Sequence, residues 1–271
     1  MTIEEGIIFG KKYLSSVDAK ILLSMVTGYD TLELINYLNK ELSTVEEDKF
    51  KKMIDARKNN KPLQYITNSV NFYGIELYVD ENVLIPRFET EELVENSIKI
   101  INERFTNPKV LDLCCGSGAI GISIKTKIPT SIVTISDISS DALKVANINK
   151  NKYNLDIKVI NSDLFDKINE KYDCIISNPP YIRNNEEIEE IVKNNEPSIA
   201  LYGGENGLLY YERILKDIKK YLNEKFLIAF EIGQDQSESI KKIANFYLNN
   251  IEIIVKKDLQ ERDRMLFILS K

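Results

Sequence analysis

Val110-Leu111-Asp112-Leu113-Cys114-Cys115-Gly116-Ser117-Gly118-Ala119-Ile120-Gly121 runs from an apolar stretch into glycines and then into helix-forming residues. Such a passage predicts a buried strand, a tight turn and the start of a helix. Gly116 to Gly121 satisfies G-x-G-x-x-G, and Asp137 follows at the end of Val133-Thr134-Ile135-Ser136. A nucleotide-binding α/β fold places an acid at this spacing to accept ribose hydroxyls. Glycines at 116 and 118 let backbone approach a ligand closely, and the small side chains of Cys114, Cys115 and Ser117 leave the path clear. Asp137 and the adjoining Ile138 are therefore candidates for an adenosine-bearing cofactor. The plainer account is a strand–helix turn with Asp137 capping the helix that follows Ser139.

Working outward, strands and helices alternate beyond residue 108. Strands are predicted at 109–113, 132–136, 156–161, 172–177, 225–231, 250–256 and 264–270, and helices at 118–127, 139–150, 206–220 and 235–246. Alternation of this kind implies an α/β, Rossmann-like, mainly parallel sheet with helices on both faces. The connection between the last two strands is too short for a crossover helix, so the last strand should run antiparallel. Residues 1–61 read as helices only, with a capping-box pattern at Ser43-Thr44-Val45-Glu46. Residues 62–86 alternate as strands, Gln64-Tyr65-Ile66 and Val70 to Val79, and look like a hairpin linking the helices to the domain at 87–271. The polar stretches Asn147 to Asn154 and Asn184 to Glu190 look like solvated faces and loops.

A second passage bears on chemistry. Ile175-Ile176-Ser177-Asn178-Pro179-Pro180-Tyr181-Ile182 ends a buried strand on two prolines, each fixing its own φ and restricting the residue before it. The result is a rigid rim with an amide oxygen from Asn178, backbone carbonyls and the ring of Tyr181. That rim suits a planar group carrying an NH2, whose hydrogens need acceptors. It also lies on the same sheet edge as the glycine turn. Asp112, inside the first strand, offers a carboxylate where a dinucleotide would bring a pyrophosphate, and so favours the cationic amino-acid moiety of S-adenosylmethionine over a nicotinamide cofactor. Asp163 and Leu164, in Asn161-Ser162-Asp163-Leu164-Phe165, close the third strand and are placed to flank an adenine.

Composition sets limits. The chain has 271 residues, a formal net charge of -6, and no histidine. Histidine-based triads and His-metal sites are excluded within the chain, and the acidic balance argues against duplex DNA as the main partner. Cys114, Cys115 and Cys174 form no C-x-x-C pair, which excludes a zinc site and suits a reducing cytosol. The first residues lack the apolar core of a signal peptide, and no run of about eighteen apolar residues offers a membrane span. A cytoplasmic, monomeric protein with no metal and no membrane partner is expected.

With these residues in view, the chain resembles the release factor glutamine methyltransferases, the PrmC/HemK family, over its full length. The resemblance rests on Asp18-Ala19-x-x-Leu22-Leu23, Pro62-Leu63-Gln64-Tyr65-Ile66, Ile85-Pro86-Arg87-Phe88-Glu89-Thr90-Glu91 and the glycine turn. It continues in Asn178-Pro179-Pro180-Tyr181, Glu196-Pro197-x-x-Ala200-Leu201-x-Gly203-Gly204-x-x-Gly207-Leu208, Glu231-Ile232-Gly233-Gln234 and Asp258-Leu259-x-x-Arg262-Asp263-Arg264. Cys114-Cys115 replaces the family's usual Gly-Thr, and Phe88 its usual proline. The resemblance implies a seven-stranded methyltransferase sheet and an amino-terminal helical domain that helps dock the substrate. It also implies methyl transfer from S-adenosylmethionine to the side-chain amide nitrogen (N5) of the glutamine in the Gly-Gly-Gln motif of class 1 peptide chain release factors. Asn178, Pro179, Pro180 and Tyr181 would form the catalytic and substrate-binding rim. Two related readings stay open: a ribosomal-protein glutamine methyltransferase and a nucleic-acid adenine-N6 methyltransferase.

Overall fold

A computed structural model describes all residues, Met1–Lys271. The chain forms two compact units, Met1–Ser69 with Glu189–Asn195, and Val70–Ile188 with Glu196–Lys271. No helix is long and apolar enough to cross a membrane.

The smaller unit contains α1 (Ile3–Gly10), α2 (Ser16–Thr27), a 3-10 turn at Glu33–Tyr37, α3 (Thr44–Lys58), α4 (Leu63–Thr67) and, from the later segment, α8 (Glu190–Asn195). Capping boxes at Thr2/Glu5 and Ser43/Glu46 satisfy the first N–H groups of α1 and α3, and Gly28 ends α2 in the left-handed region. Ile3, Leu22, Leu23, Leu34, Phe50 and Ile54 form its core. An ion pair from Arg57 Nε to Asp18 Oδ2 at 3.0 Å ties α3 to α2. The stretch Gln64-Tyr65-Ile66, predicted as a strand, is the helix α4. Pro62 supplies the N-cap, Asn68 at φ +52° closes the turn, and the Thr67 hydroxyl donates back to the Leu63 carbonyl, so local bonds outweigh β propensity. The helix α8 has no counterpart among the predicted elements, because its polar sequence shows no apolar period.

The larger unit begins with a hairpin, β1 (Val70–Phe72) and β2 (Ile75–Leu77), followed by α5 (Phe88–Arg104). Phe72, Ile75 and Leu77 lie in the larger unit's core, so the hairpin belongs to that unit and is no free-standing linker. Then come β3 (Lys109–Leu113), α6 (Ala119–Lys127), β4 (Ile132–Asp137), α7 (Ser140–Lys152), β5 (Ile157–Asn161) and β6 (Tyr172–Ser177). The chain ends with α9 (Leu209–Asp217), β7 (Leu222–Glu231), α10 (Ser237–Tyr247), β8 (Ile251–Lys257) and β9 (Asp263–Ser270).

The seven-stranded sheet has the order β5-β4-β3-β6-β7-β9-β8. β9 is antiparallel to both of its neighbours, and the other pairings are parallel. Period-two alternation sorts the strand residues between two cores. Val110, Cys174, Ile176, Leu227 and Ala229 pack with α5, α6 and α7, while Leu111, Leu113, Ile175, Ile228 and Phe230 pack with α9 and α10. Each fully buried Ile or Leu contributes roughly 1.5–3 kcal/mol of burial free energy. Strand order reverses between β3 and β6, so their carboxyl ends open a crevice where this class of sheet takes its ligands.

Candidate active site

At that crevice lies a cleft of about 1000 Å³, counted to its open mouth. One wall is the turn after β3, where Cys114, Cys115, Gly116 and Ser117 line the cleft. Cys114, Gly116 and Gly118 have φ of +61°, +53° and +80°. Cys114 bears a side chain in a conformation that costs a non-glycine residue about 1–2 kcal/mol, a strain held in the wall of the cleft. A Cβ added at Gly116 would meet nothing within 4 Å. The turn is braced from behind, since Asn149 Nδ2 donates to the Ser117 carbonyl at 3.0 Å and to the Tyr78 carbonyl at 2.9 Å.

Asp137 ends β4 at the same wall. Its Oδ2 accepts from Gly116 N–H and its Oδ1 from Ser139 N–H, each at 2.9 Å. Burial pushes its pKa up and the backbone N–H groups pull it back, with a net rise. Each oxygen keeps a further acceptor site for a hydroxyl. The carboxylate thus caps and faces the cleft at once. Ile138, half exposed, and Leu164 supply apolar surface, and Asp163 is held by Arg213 Nη2 at 2.9 Å. The open face of Gly116 and the remaining acceptor sites of Asp137 fit an adenosine ribose.

Asn178 and Pro180, just past β6, also border the cleft. Asn178 Nδ2 donates to Thr90 Oγ1 at 3.3 Å, and the Thr90 hydroxyl donates to Glu231 Oε2 at 2.5 Å. Behind the rim, Gln236 Nε2 donates to the carbonyls of Tyr181 (2.9 Å) and Gly207 (3.2 Å). Ile182 N–H donates to the Leu201 carbonyl and Gly203 N–H to the Ile182 carbonyl, so the Gly203-Gly204-x-x-Gly207 loop clamps the rim's backbone.

Of the residues the sequence singled out, Asp112, Gly118, Pro179 and Tyr181 do not line the cleft. Asp112 shares the face of β3 that bears Val110, and its Oδ2 accepts from Gly121 N–H at 2.8 Å while Oδ1 has no partner. Burial foremost, with Asp137 adding to it, pushes its pKa up to about 8 despite the Gly121 bond. The partner it has in the fold is the amino end of α6. Gly118 faces Ile122, Ala146 and Ile135 instead, a packing role. Pro179 is buried at the strand end. The Tyr181 ring, expected against a substrate amide, points its hydroxyl inward to Glu231 Oε1 at 3.2 Å, with Arg264 Nη1 at 3.5 Å. Burial and the neighbouring Glu231 charge hold that phenol protonated.

Sequence reasoning left Thr90, Tyr210 and Arg213 out of the site, although all three line the cleft. Thr90 lies in a quoted segment whose glutamates were read as helix-dipole partners. Tyr210 and Arg213 stand three apart on α9, a spacing with no chemical signature of its own.

The family profile described as "PrmC N-terminal domain" matches residues 13–67, and "Methyltransferase small domain" matches residues 91–200. A release factor glutamine methyltransferase of Clostridium acetobutylicum is 42% identical over 92% of this chain and 89% of its own length. Relatives of the same name in Streptococcus pneumoniae (41%, covering 87% and 85%) and Bacillus subtilis (34%, covering 99% and 98%) match similarly. Among solved structures, a ribosomal protein L11 methylase from Lactobacillus delbrueckii subsp. bulgaricus aligns with a TM-score of 0.52 at 19% identity over 71% of this chain and 84% of its own. A 16S rRNA methyltransferase from Thermus thermophilus, in complex with AdoMet and guanosine, aligns at 0.56 and 13% identity over 75% of this chain and 50% of its own. At these identities the structural likeness establishes the methyltransferase fold.

Proposed function

Since the chain belongs to the release factor glutamine methyltransferases, we propose that its cleft binds S-adenosylmethionine and presents to it the N5 amide nitrogen of the glutamine in the Gly-Gly-Gln motif of a class 1 release factor. A single observation carries this reading: Asp137 with the glycine turn, and Asn178 with Pro180, border one and the same cleft.

Gly116 and Asp137 would hold the ribose, Ile138 and Leu164 the faces of the adenine, and Asp163 its edge. S-adenosylmethionine, when bound, supplies a methyl group on a positively charged sulfur. An amide nitrogen is a poor nucleophile because its lone pair is shared with the carbonyl, so the chain's task is orientation. The Asn178 side-chain oxygen, at the border of the cleft, accepts an amide hydrogen and turns the nitrogen toward the glycine-turn wall. Acceptors set in advance stabilise the positive charge that grows on nitrogen, and fixing two reactants in line lowers a barrier by roughly 7–11 kcal/mol in favourable cases. The surplus proton leaves from the cleft mouth to water. In the smaller unit, Leu32 and Ile35 stand 82% and 72% exposed at the 3-10 turn, apolar surface that supports a docking role there.

The test is mass spectrometry of the Gly-Gly-Gln peptide of a purified release factor after incubation with the protein and S-adenosylmethionine. A gain of one methyl group on the glutamine is expected. Asn178→Ala should lower turnover at least about a hundredfold, as loss of an oriented acceptor does, while cofactor affinity stays near that of the parent. Parental turnover in Asn178→Ala would remove the rim from the mechanism.

A further inference from the structure

Three motifs quoted from the sequence remain without a role in the transfer: Thr90 in Glu89-Thr90-Glu91, Glu231 in Glu231-Ile232-Gly233-Gln234, and Arg264 in Arg262-Asp263-Arg264. The structure joins them behind Asn178. Glu231 is buried at 1% exposure at the end of β7, and the Thr90 hydroxyl, on the first turn of α5, reaches its Oε2 at 2.5 Å. The other carboxylate oxygen accepts from the Tyr181 hydroxyl. Arg264 Nη1 lies 3.5 Å from that hydroxyl and donates to the Ile232 carbonyl at 3.1 Å. Asp258 in turn holds Arg264 Nε at 3.4 Å and Arg262 Nε at 3.0 Å. A buried carboxylate at this place therefore has two hydroxyl donors and a guanidinium close by, which is what a buried charge requires.

Direction along this chain of bonds follows from what each group is able to do. Burial raises the Glu231 pKa, while the Thr90 hydroxyl, the Arg264 charge and the Tyr181 hydroxyl oppose that rise and favour the carboxylate, which only accepts, so the single Thr90 proton points at Glu231. Thr90 Oγ1 is then left to its next neighbour as an acceptor alone. The neighbour is Asn178, and the end of its amide that satisfies an acceptor is the NH2, found at 3.3 Å. Carboxamides are otherwise nearly symmetric in shape, and nothing steric decides which end faces a substrate.

We propose that Thr90 and Glu231 are positioning residues that hold the Asn178 carboxamide in the one orientation that turns its oxygen, and not its NH2, toward the substrate amide. The inference rests on the methyl-transfer reading and adds to it the device that sets the polarity of the acceptor. A flipped Asn178 would present two hydrogens to a substrate NH2 that itself has two, and the substrate would be repelled from its reactive alignment.

Thr90→Val keeps the shape and removes both the donor and the acceptor, Thr90→Ser keeps both, and Glu231→Gln leaves one acceptor oxygen for the two hydroxyls of Thr90 and Tyr181, so that the direction of the Thr90 proton is no longer fixed. Turnover is measured with a purified release factor, and S-adenosylmethionine affinity by calorimetry. Thr90→Val and Glu231→Gln should each lower kcat by about ten- to a hundredfold, the size of one misdirected buried hydrogen bond. The cofactor Kd and the KM for release factor should stay within about twofold, and Thr90→Ser should restore kcat to within about threefold. Parental kcat in Thr90→Val overturns the proposal. So does a loss in which kcat and cofactor Kd move together, or one that Thr90→Ser shares, since each marks a role in the fold only. If Thr90→Val does not fold, Glu231→Gln decides by the same readings. A parent protein that fails to methylate the release factor defeats the underlying reading, whereas an active parent with an equally active Thr90→Val defeats only this inference.

Discussion

Gly207→Ala is the sharpest probe of how the site is built. Gly207 has φ +69°, and a Cβ there would stand 2.2 Å from the Tyr181 carbonyl oxygen and 2.4 Å from Gln236 Nε2. The left-handed conformation alone costs an alanine about 1–2 kcal/mol. The overlap must also push the Gln236 amide off the Tyr181 and Gly207 carbonyls, which it now binds at 2.9 and 3.2 Å. Gln236 is buried, so a donor left without partners adds about 1–3 kcal/mol. The sum, roughly 2–5 kcal/mol, is a large fraction of the stability of about 5–15 kcal/mol usual for a folded domain. The chain lacks tryptophan, so urea unfolding is best followed by far-UV circular dichroism. The midpoint should fall by about 1–2 M for ordinary urea slopes. Turnover on the release factor should fall as well in the fraction that stays folded, because the Tyr181 carbonyl belongs to the clamped rim. A midpoint within about 0.2 M of the parent, with full turnover, would refute the claim that the glycine loop braces the rim by close approach.

Asp137→Ala should weaken S-adenosylmethionine binding about tenfold or more, the equivalent of one to two hydrogen bonds to a carboxylate. Unchanged affinity in calorimetry would leave Asp137 with its capping role alone. Asp112→Asn tests the buried acid under the glycine turn. In the fold Asp112 has a pKa of about 8, against an ordinary 3.8. Between those values the folded chain binds a proton that the unfolded chain lacks, so stability falls as pH rises, by about 1.4 kcal/mol for each pH unit. The carboxamide introduced by Asp112→Asn would bind no proton, so the variant should be more stable than the parent at the alkaline end of this window and show a flatter profile. Identical pH slopes in thermal melts of the two chains would show that Asp112 is charged in the fold.

Much of the molecule is legible in the amino-acid order because its causes are local. The β3–α6 glycine turn, the alternation of strands and helices from 109 onward, the reversed last strand and the proline-framed rim after β6 all follow from period, turn chemistry and the stiffness of Pro179 and Pro180. Asp137 is readable for the same reason, lying where a strand ends. Local rules failed where a short segment had two options, as in Gln64-Tyr65-Ile66, whose β-branched and aromatic residues suit a strand but whose Pro62 and Asn68 close a helical turn.

What tertiary structure alone decided is where side chains point once strands are paired. Asp112 turns toward α6 because its place in β3 puts it on that face of the sheet, and Tyr181 turns inward because Glu231 and Arg264, far along the chain, meet there. The sequence by itself determined that an asparagine would stand on a rigid lip beside a nucleotide-type turn. Which end of that asparagine faces the cleft depends on Thr90, from α5, and Glu231, from β7, which come together only when the helix packs on the sheet. Hydrogen-bond polarity is a property of neighbours in space, and no spacing along the chain encodes it.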